Sequence, residues 1–247
     1  MKTLTITLCA LAGLFAVSST FAQADATFAK ANEEYAAGRF KEAIDGYEML
    51  VQSGQRSATL FYDLGNAYFR AGDFGRAILS YERALALEPR HPEAVANLRI
   101  ARDEARALEL VVSAPERSLQ LLTLNQYTIG ASIAFWLGIF GIVILILARR
   151  RSASLIALSI LSLFIFAFAV AAIAWLDGGN KGSALAIVTD KGVEARVATA
   201  ENANTVLALP PGSEIRIVSK RGDWIYAVLP NNLRGWISAK SAESVRL

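Results

Sequence analysis

Thiols and imidazoles are almost missing from this chain, in which Cys9 is the only cysteine and His91 the only histidine. Past Cys9 there is thus no material for a disulfide framework, a thiol nucleophile or a cysteine metal cluster. His91 lies in the turn between Pro89 and Pro92, where a solvated loop residue is the ordinary reading. Glycine-rich phosphate loops are missing too. The adjacent carboxylates Glu33-Glu34 and Asp103-Glu104 point to different sides of a helix and cannot share a substrate. The sequence therefore predicts no catalytic residue, no metal site and no cofactor, and the chain is not expected to be an enzyme. An excess of one charge is also lacking. The net charge is +3, and Arg149, Arg150 and Arg151 account for it, so nucleic acid is not an expected partner.

Charge is absent altogether from two long apolar runs, residues 128–148 and 154–176. At 1.5 Å per residue each is about long enough to cross a hydrocarbon core of roughly 30 Å, and a helix satisfies its own backbone there. Between them, residues 149–153 carry Arg149, Arg150 and Arg151, which the positive-inside tendency holds on the cytoplasmic side. Both flanking pieces are then expected outside the cytoplasm. Residues 1–22 combine Lys2, an apolar stretch from Leu4 to Val17 and small residues around Ala22-Gln23-Ala24, the pattern of a secretory signal peptide. An uncleaved signal anchor would give the same topology. The spans hold no ionisable residue, which argues against ion or proton transport. Gly130, Ala134 and Gly138 recur every four residues, a stripe against which another helix can pack. The second span, through Ala167 and Ala171, or a helix of another protein could be that partner. Tyr127 and Trp175 fall at the outer span ends, where an interfacial aromatic belt is expected.

Before the spans, residues 24–57 and 58–91 align on each other at a period of 34. Leu64-Gly65, Tyr68, Gly72, Phe74, Ala77-Ile78, Tyr81, Ala84-Leu85 and Pro89 in the second copy match Ala31, Gly38, Phe40, Ala43-Ile44, Tyr47 and Leu50 in the first. Small residues let paired helices approach, and the aromatics fill the space between pairs. Gly38 and Gly72 are expected to end the first helix of each pair. A stripe through Ala94, Leu98, Ala101 and Leu108 makes residues 92–110 a cap helix. Residues 24–91 thus resemble the tetratricopeptide repeat family, with 92–110 as their cap.

That resemblance implies a concave groove bordered by Phe28, Asn32, Tyr35, Tyr62, Asn66, Phe69 and Arg70. Asparagine both donates and accepts hydrogen bonds, so Asn32 and Asn66 either hold a peptide backbone or merely cap and hydrate the helix surface.

After a juxtamembrane linker, 111–127, and the two spans, residues 177–183 read as a flexible tether of at most about 15 Å. Ala184–Val188, Val206–Leu209, Ile215–Val218, Trp224–Leu229 and Gly235–Ser238 then read as strands between turns. Five short strands predict a closed barrel over residues 184–247. The run from Pro211-Gly212 through Asp223-Trp224 to Gly235-Trp236 resembles a bacterial Src-homology-3 domain. Trp224, Tyr226 and Trp236 form either an aromatic shelf for a proline-rich or cell-wall peptide or part of the barrel core.

The fold class expected is thus multi-domain: an all-α helical repeat, a two-helix transmembrane hairpin and a small all-β barrel. This order resembles the tetratricopeptide member of the bacterial aerotolerance (Bat) operon proteins. The resemblance implies a multi-pass protein of the bacterial cytoplasmic membrane with both folded parts on the extracytoplasmic side. It also implies an envelope assembly or stress-tolerance scaffold beside von Willebrand A-domain membrane proteins and a MoxR-type ATPase. A cell-wall-binding module is the alternative expectation.

Overall fold

The computed structural model describes residues 25–147 and 152–246. The signal segment 1–22 and the arginines Arg149, Arg150 and Arg151 lie outside the described residues.

Five helices come first: α1 over residues 25–36, then α2 (Phe40–Gln52), α3 (Ala58–Arg70), α4 (Phe74–Leu87) and α5 (Pro92–Ala105). The ends follow the local chemistry. Ser57 and Asp73 accept hydrogen bonds from the amides of Leu60 and Arg76 at the starts of α3 and α4, the usual N-cap arrangement. Gly38 and Gly72 sit at φ +78° and +77° just past α1 and α3, left-handed positions that suit glycine. Pro92 opens α5, the first-turn position proline tolerates. The expected cap helix is shorter than residues 92–110. Arg106 turns left-handed at φ 52°, and the strap that follows docks on the β-domain: Leu108 N–H donates to Ser213 Oγ (3.1 Å) and the Glu214 amide to the Leu108 carbonyl (2.8 Å).

The short helix α6 (Ala114–Leu119) leads into α7 (Leu124–Leu147), and α8 (Ala153–Gly178) returns antiparallel to it. Both are long and apolar enough to cross a membrane. Their seam carries Ala131, Ala134, Gly138 and Gly141 against Ser159, Ser162, Ala169 and Ala172. Ala134 and Gly138 thus lie in the contact. A Cβ on Gly130 would meet nothing within 4 Å, and Ala167 and Ala171 are exposed. The reason is the repeat: steps alternating between three and four residues keep one face toward a nearly parallel-axis partner, whereas a strict four-residue step rotates away. Trp175 is exposed, but Tyr127 turns inward and donates its hydroxyl to the Leu119 carbonyl at 3.1 Å.

Residues 177–183 are tied down, unlike the flexible tether expected. Asn180 Nδ2 donates to the Val111 carbonyl (2.7 Å), Arg216 Nε to Asn180 Oδ1 (3.0 Å) and Lys181 Nζ to Glu214 (3.1 Å).

Seven antiparallel strands follow: β1 (Leu185–Val188), β2 (Val193–Arg196), β3 (Thr205–Leu209), β4 (Glu214–Arg221), β5 (Trp224–Val228), β6 (Arg234–Ser238) and β7 (Ala242–Ser244). Their order is β3-β2-β6-β5-β4-β1-β7. The sheet is open, where a closed five-stranded barrel was expected. Of the two unforeseen strands, β2 alternates buried and outward residues over only four positions and β7 spans three. The β7 edge is covered by the helical repeat, because Arg83 Nη2 donates to the Ser244 carbonyl (3.0 Å) and pairs with Glu243 (3.2 Å). A covered edge needs no closure.

Repeat and sheet share one core. All four residues of β1 are buried: Leu185 and Ile187 join the core cluster that holds Ile78 of α4, while Ala186 and Val188 join Ile215, Ala227 and Ile237 of the sheet. Gly75 allows the approach, since a Cβ there would come within 2.6 Å of the Thr189 carbonyl oxygen.

Candidate functional site

With α4 committed to the sheet, the opposite face of the helical stack is left open. It is lined by α1, α3 and α5, the first helix of each pair and the cap. Tyr35, Asn66, Phe69 and Arg70 meet there around a cavity of about 150 Å³, joined by Tyr81, Asn97 and Ile100. Four of the seven groove residues expected from the sequence therefore line one recess. Phe28 instead packs on Tyr47, with ring centroids 5.8 Å apart. Tyr62 borders the recess, stacking on His91 at 4.9 Å and accepting from Asn97 Nδ2 at 3.3 Å.

The two asparagines have internal partners. Asn32 Oδ1 accepts from the Tyr47 hydroxyl (2.6 Å), and Asn66 Oδ1 accepts from the Tyr81 hydroxyl (2.8 Å) and from Asn97 Nδ2 (2.9 Å). Both tyrosines are buried, and burial raises the pKa of each phenol above its ordinary value, so each stays a neutral donor. The asparagine oxygens thus accept from within the protein, and their amide groups remain available as donors. Arg70 is fixed with its guanidinium 5.0 Å from the Phe40 ring centroid, a cation–π arrangement.

Asn97 and Asp63 were not foreseen. Asn97 comes from the cap helix, whose sequence carries only a weak repeat. Asp63 precedes Asn97 by one full period and is half-buried. Burial pushes its carboxyl up to about 6, against a downward pull from His91. The groove thus combines aromatic walls, amide donors and one guanidinium. Such a surface suits an extended peptide or a partner's loop, with backbone amides and a few side chains as its ligands. Among the described residues no group of three or more His, Cys, Asp or Glu side chains could hold a metal ion.

On the sheet, Trp224, Tyr226 and Trp236 stand half-exposed while their neighbours Ile225, Ala227 and Ile237 are buried. Tyr226 and Trp236 are cross-strand partners with ring centroids 5.0 Å apart. They occupy the face away from the core.

The tetratricopeptide repeat family matches at residues 58–91, the stretch that supplies α3 and α4. No curated protein matches the chain. Residues 58–91 are a tetratricopeptide repeat, and the chain carries it within a stack of paired helices.

Proposed function

We propose that this protein is a non-enzymatic, membrane-anchored scaffold whose helical repeat presents a peptide- or protein-binding groove. The observation that carries the reading is the division of the stack: its α4 face is sealed by the sheet, while the recess around Tyr35, Asn66, Phe69 and Arg70 stays open. Tetratricopeptide repeats generally mediate protein–protein interaction, and this one is held rigidly enough to offer a preformed surface. The hairpin supplies the anchor. Trp136, Phe140, Phe164 and Ile146 are all more than half exposed on α7 and α8, a surface suited to lipid and costly in water.

Both folded parts belong to one side of the membrane in this reading, because the repeat enters α7 and the sheet leaves α8 at the same end of the hairpin. The side is the extracytoplasmic one, given the signal-like residues 1–22 and the basic loop. Kinship of the sheet with Src-homology-3 domains, and of the whole with the Bat operon scaffold acting beside von Willebrand A-domain proteins and a MoxR-type ATPase, completes the proposal.

Co-purification from cells in mild detergent tests it. Replacing Phe69 by Ala and Arg70 by Glu should remove the recovered protein partners while leaving the melting profile within a few degrees. Unchanged recovery overturns the groove role. A second reading, cell-wall binding, is favoured by the outward Trp224, Tyr226 and Trp236 alone. Sedimentation of the full chain in detergent with purified wall material, compared with Trp236→Ala, decides it, and equal sedimentation removes it.

A further inference from the structure

A cleft of about 750 Å³ lies away from the peptide groove, where repeat, sheet and hairpin meet. That is the size of a site for a small amphiphile. Its walls carry four cations, Arg56, Arg83, Lys181 and Arg246, and no carboxylate. Leu122 and Leu176 are among the apolar lining residues. Leu176 lies in the last turn of α8, and the cleft therefore opens at the level where the spans leave the membrane. Leu121 and Leu122 beside it are 79% and 47% exposed, a surface that water disfavours and a lipid interface accepts.

Three of the four cations have carboxylate partners behind them, and Arg83 and Arg246 keep donors beyond those pairs. Arg246 Nη1 pairs with Asp177 at 2.9 Å, Arg83 Nη2 with Glu243 at 3.2 Å, and Lys181 Nζ with the buried Glu214 at 3.1 Å. Arg83 Nε is buried and has no hydrogen-bond partner among the described residues. Burial lowers the Arg83 pKa from its ordinary value, Glu243 opposes that shift, and the charge of the nearby Arg56 adds to it. A phosphate would relieve this crowding of cationic charge.

We infer that the cleft binds the headgroup of an anionic phospholipid, with the phosphate among Arg56, Arg83 and Arg246 and the acyl chains leaving along Leu122 and Leu176. The inference rests on the membrane reading of α7 and α8. Free phosphate could satisfy the cations equally well, but the apolar wall at the span ends selects the lipid. Bound there, the lipid would bridge the repeat, the sheet and the hairpin, coupling the orientation of the head to the composition of the bilayer.

Full-length protein in a nonionic detergent, titrated with phosphatidylglycerol, phosphatidylcholine or inorganic phosphate and read by native mass spectrometry, tests the proposal. Phosphatidylglycerol adducts should persist at activation energies that strip phosphatidylcholine. Arg56→Gln combined with Arg246→Gln should weaken their retention roughly thirtyfold, and Leu122→Glu should do so independently. Equal retention of the two lipids, indifference to both variants, or phosphate adducts that compete fully with the lipid would overturn the inference. Circular dichroism melting of the variants separates lost binding from lost fold. Carbonate extraction of membranes separates the two levels of the argument. Recovery of the chain in the soluble fraction sinks the membrane reading and this site with it, while an integral protein without lipid preference sinks this site alone.

Discussion

Tyr81 donates its buried hydroxyl to the side-chain oxygen of Asn66 at 2.8 Å, fastening the second helix of the repeat to the first. One period earlier, Tyr47 and Asn32 do the same at 2.6 Å. Asn66→Ala orphans the Tyr81 hydroxyl and should cost about 1–3 kcal/mol, the penalty for an unsatisfied buried donor. Tyr81→Phe leaves Asn66 with Asn97 and should cost about 1 kcal/mol. Urea unfolding of the two single variants and the double should reveal positive coupling between them.

Gly65 makes that geometry accessible. A Cβ there would come within 2.7 Å of the Tyr81 ring, which is itself buried. Gly65→Ala should therefore destabilise the repeat by about 1–3 kcal/mol, despite alanine's better helix propensity. A Gly130→Ala control, where the added carbon meets nothing within 4 Å, should leave the melting temperature nearly unchanged.

A buried ion cluster fixes the repeat to the sheet. Glu214 is fully buried and receives Arg102 of α5, Lys181 and the Leu110 amide, while Arg102 also reaches Glu82 and Glu109. Burial raises the Glu82 pKa above its ordinary value, with Arg102 opposing. Arg102→Met removes the cation shared by three carboxylates and should cost about 3–5 kcal/mol. Chemical denaturation measures the loss, and limited proteolysis should find new cleavage in the strap after Arg106.

Asp63 gives the stability of the repeat a pH dependence of its own. Its carboxyl stands at about 6 in the folded protein against an ordinary 3.8, because it is partly buried. Between those values the folded state holds a proton that the unfolded chain releases, so this residue's contribution to stability declines as pH rises from about 4 to 6. Above that window the cost is constant. Asp63→Asn should stabilise the protein at neutral pH by about 1 kcal/mol, the full shift being reduced by solvent screening of a half-exposed group. The gap in melting temperature from wild type should be smaller at pH 4.5 than at pH 7.5.

The strong periodicities were legible, and the weak ones were not. Leu64, Gly65 and Ala77 revealed the repeat because close helix packing leaves few residues to choose from. Leu98 and Ala101 follow Leu64 and Ala67 by the same period, yet α5 departs elsewhere, and Asn97 went unnoticed as a groove residue. The hairpin could be read from its apolar runs, but not its seam. The four-residue step through Gly130 resembled a packing stripe until the alternating step through Ala131 and Gly141 proved to be the one in contact. In the sheet, β4 and β5 announced themselves by length and aromatics. β7 spans three residues and exists because Arg83 and β1 hold it, a tertiary cause that leaves no local pattern. The same holds for Asn180 and Lys181, polar residues in a glycine-rich run that reads as loose chain until their partners are known.

β1 is covered on one side by α4 and on the other by its own sheet, and these two covers are made at opposite ends of translation. The ribosome delivers α4 first, then both apolar helices, and only afterwards the strand that completes the interface. Throughout that interval Ile78 and its neighbours wait without their seat. Completion of the α4 interface therefore waits on synthesis of the hairpin, and a chain truncated within α8 would leave Ile78 without its cover.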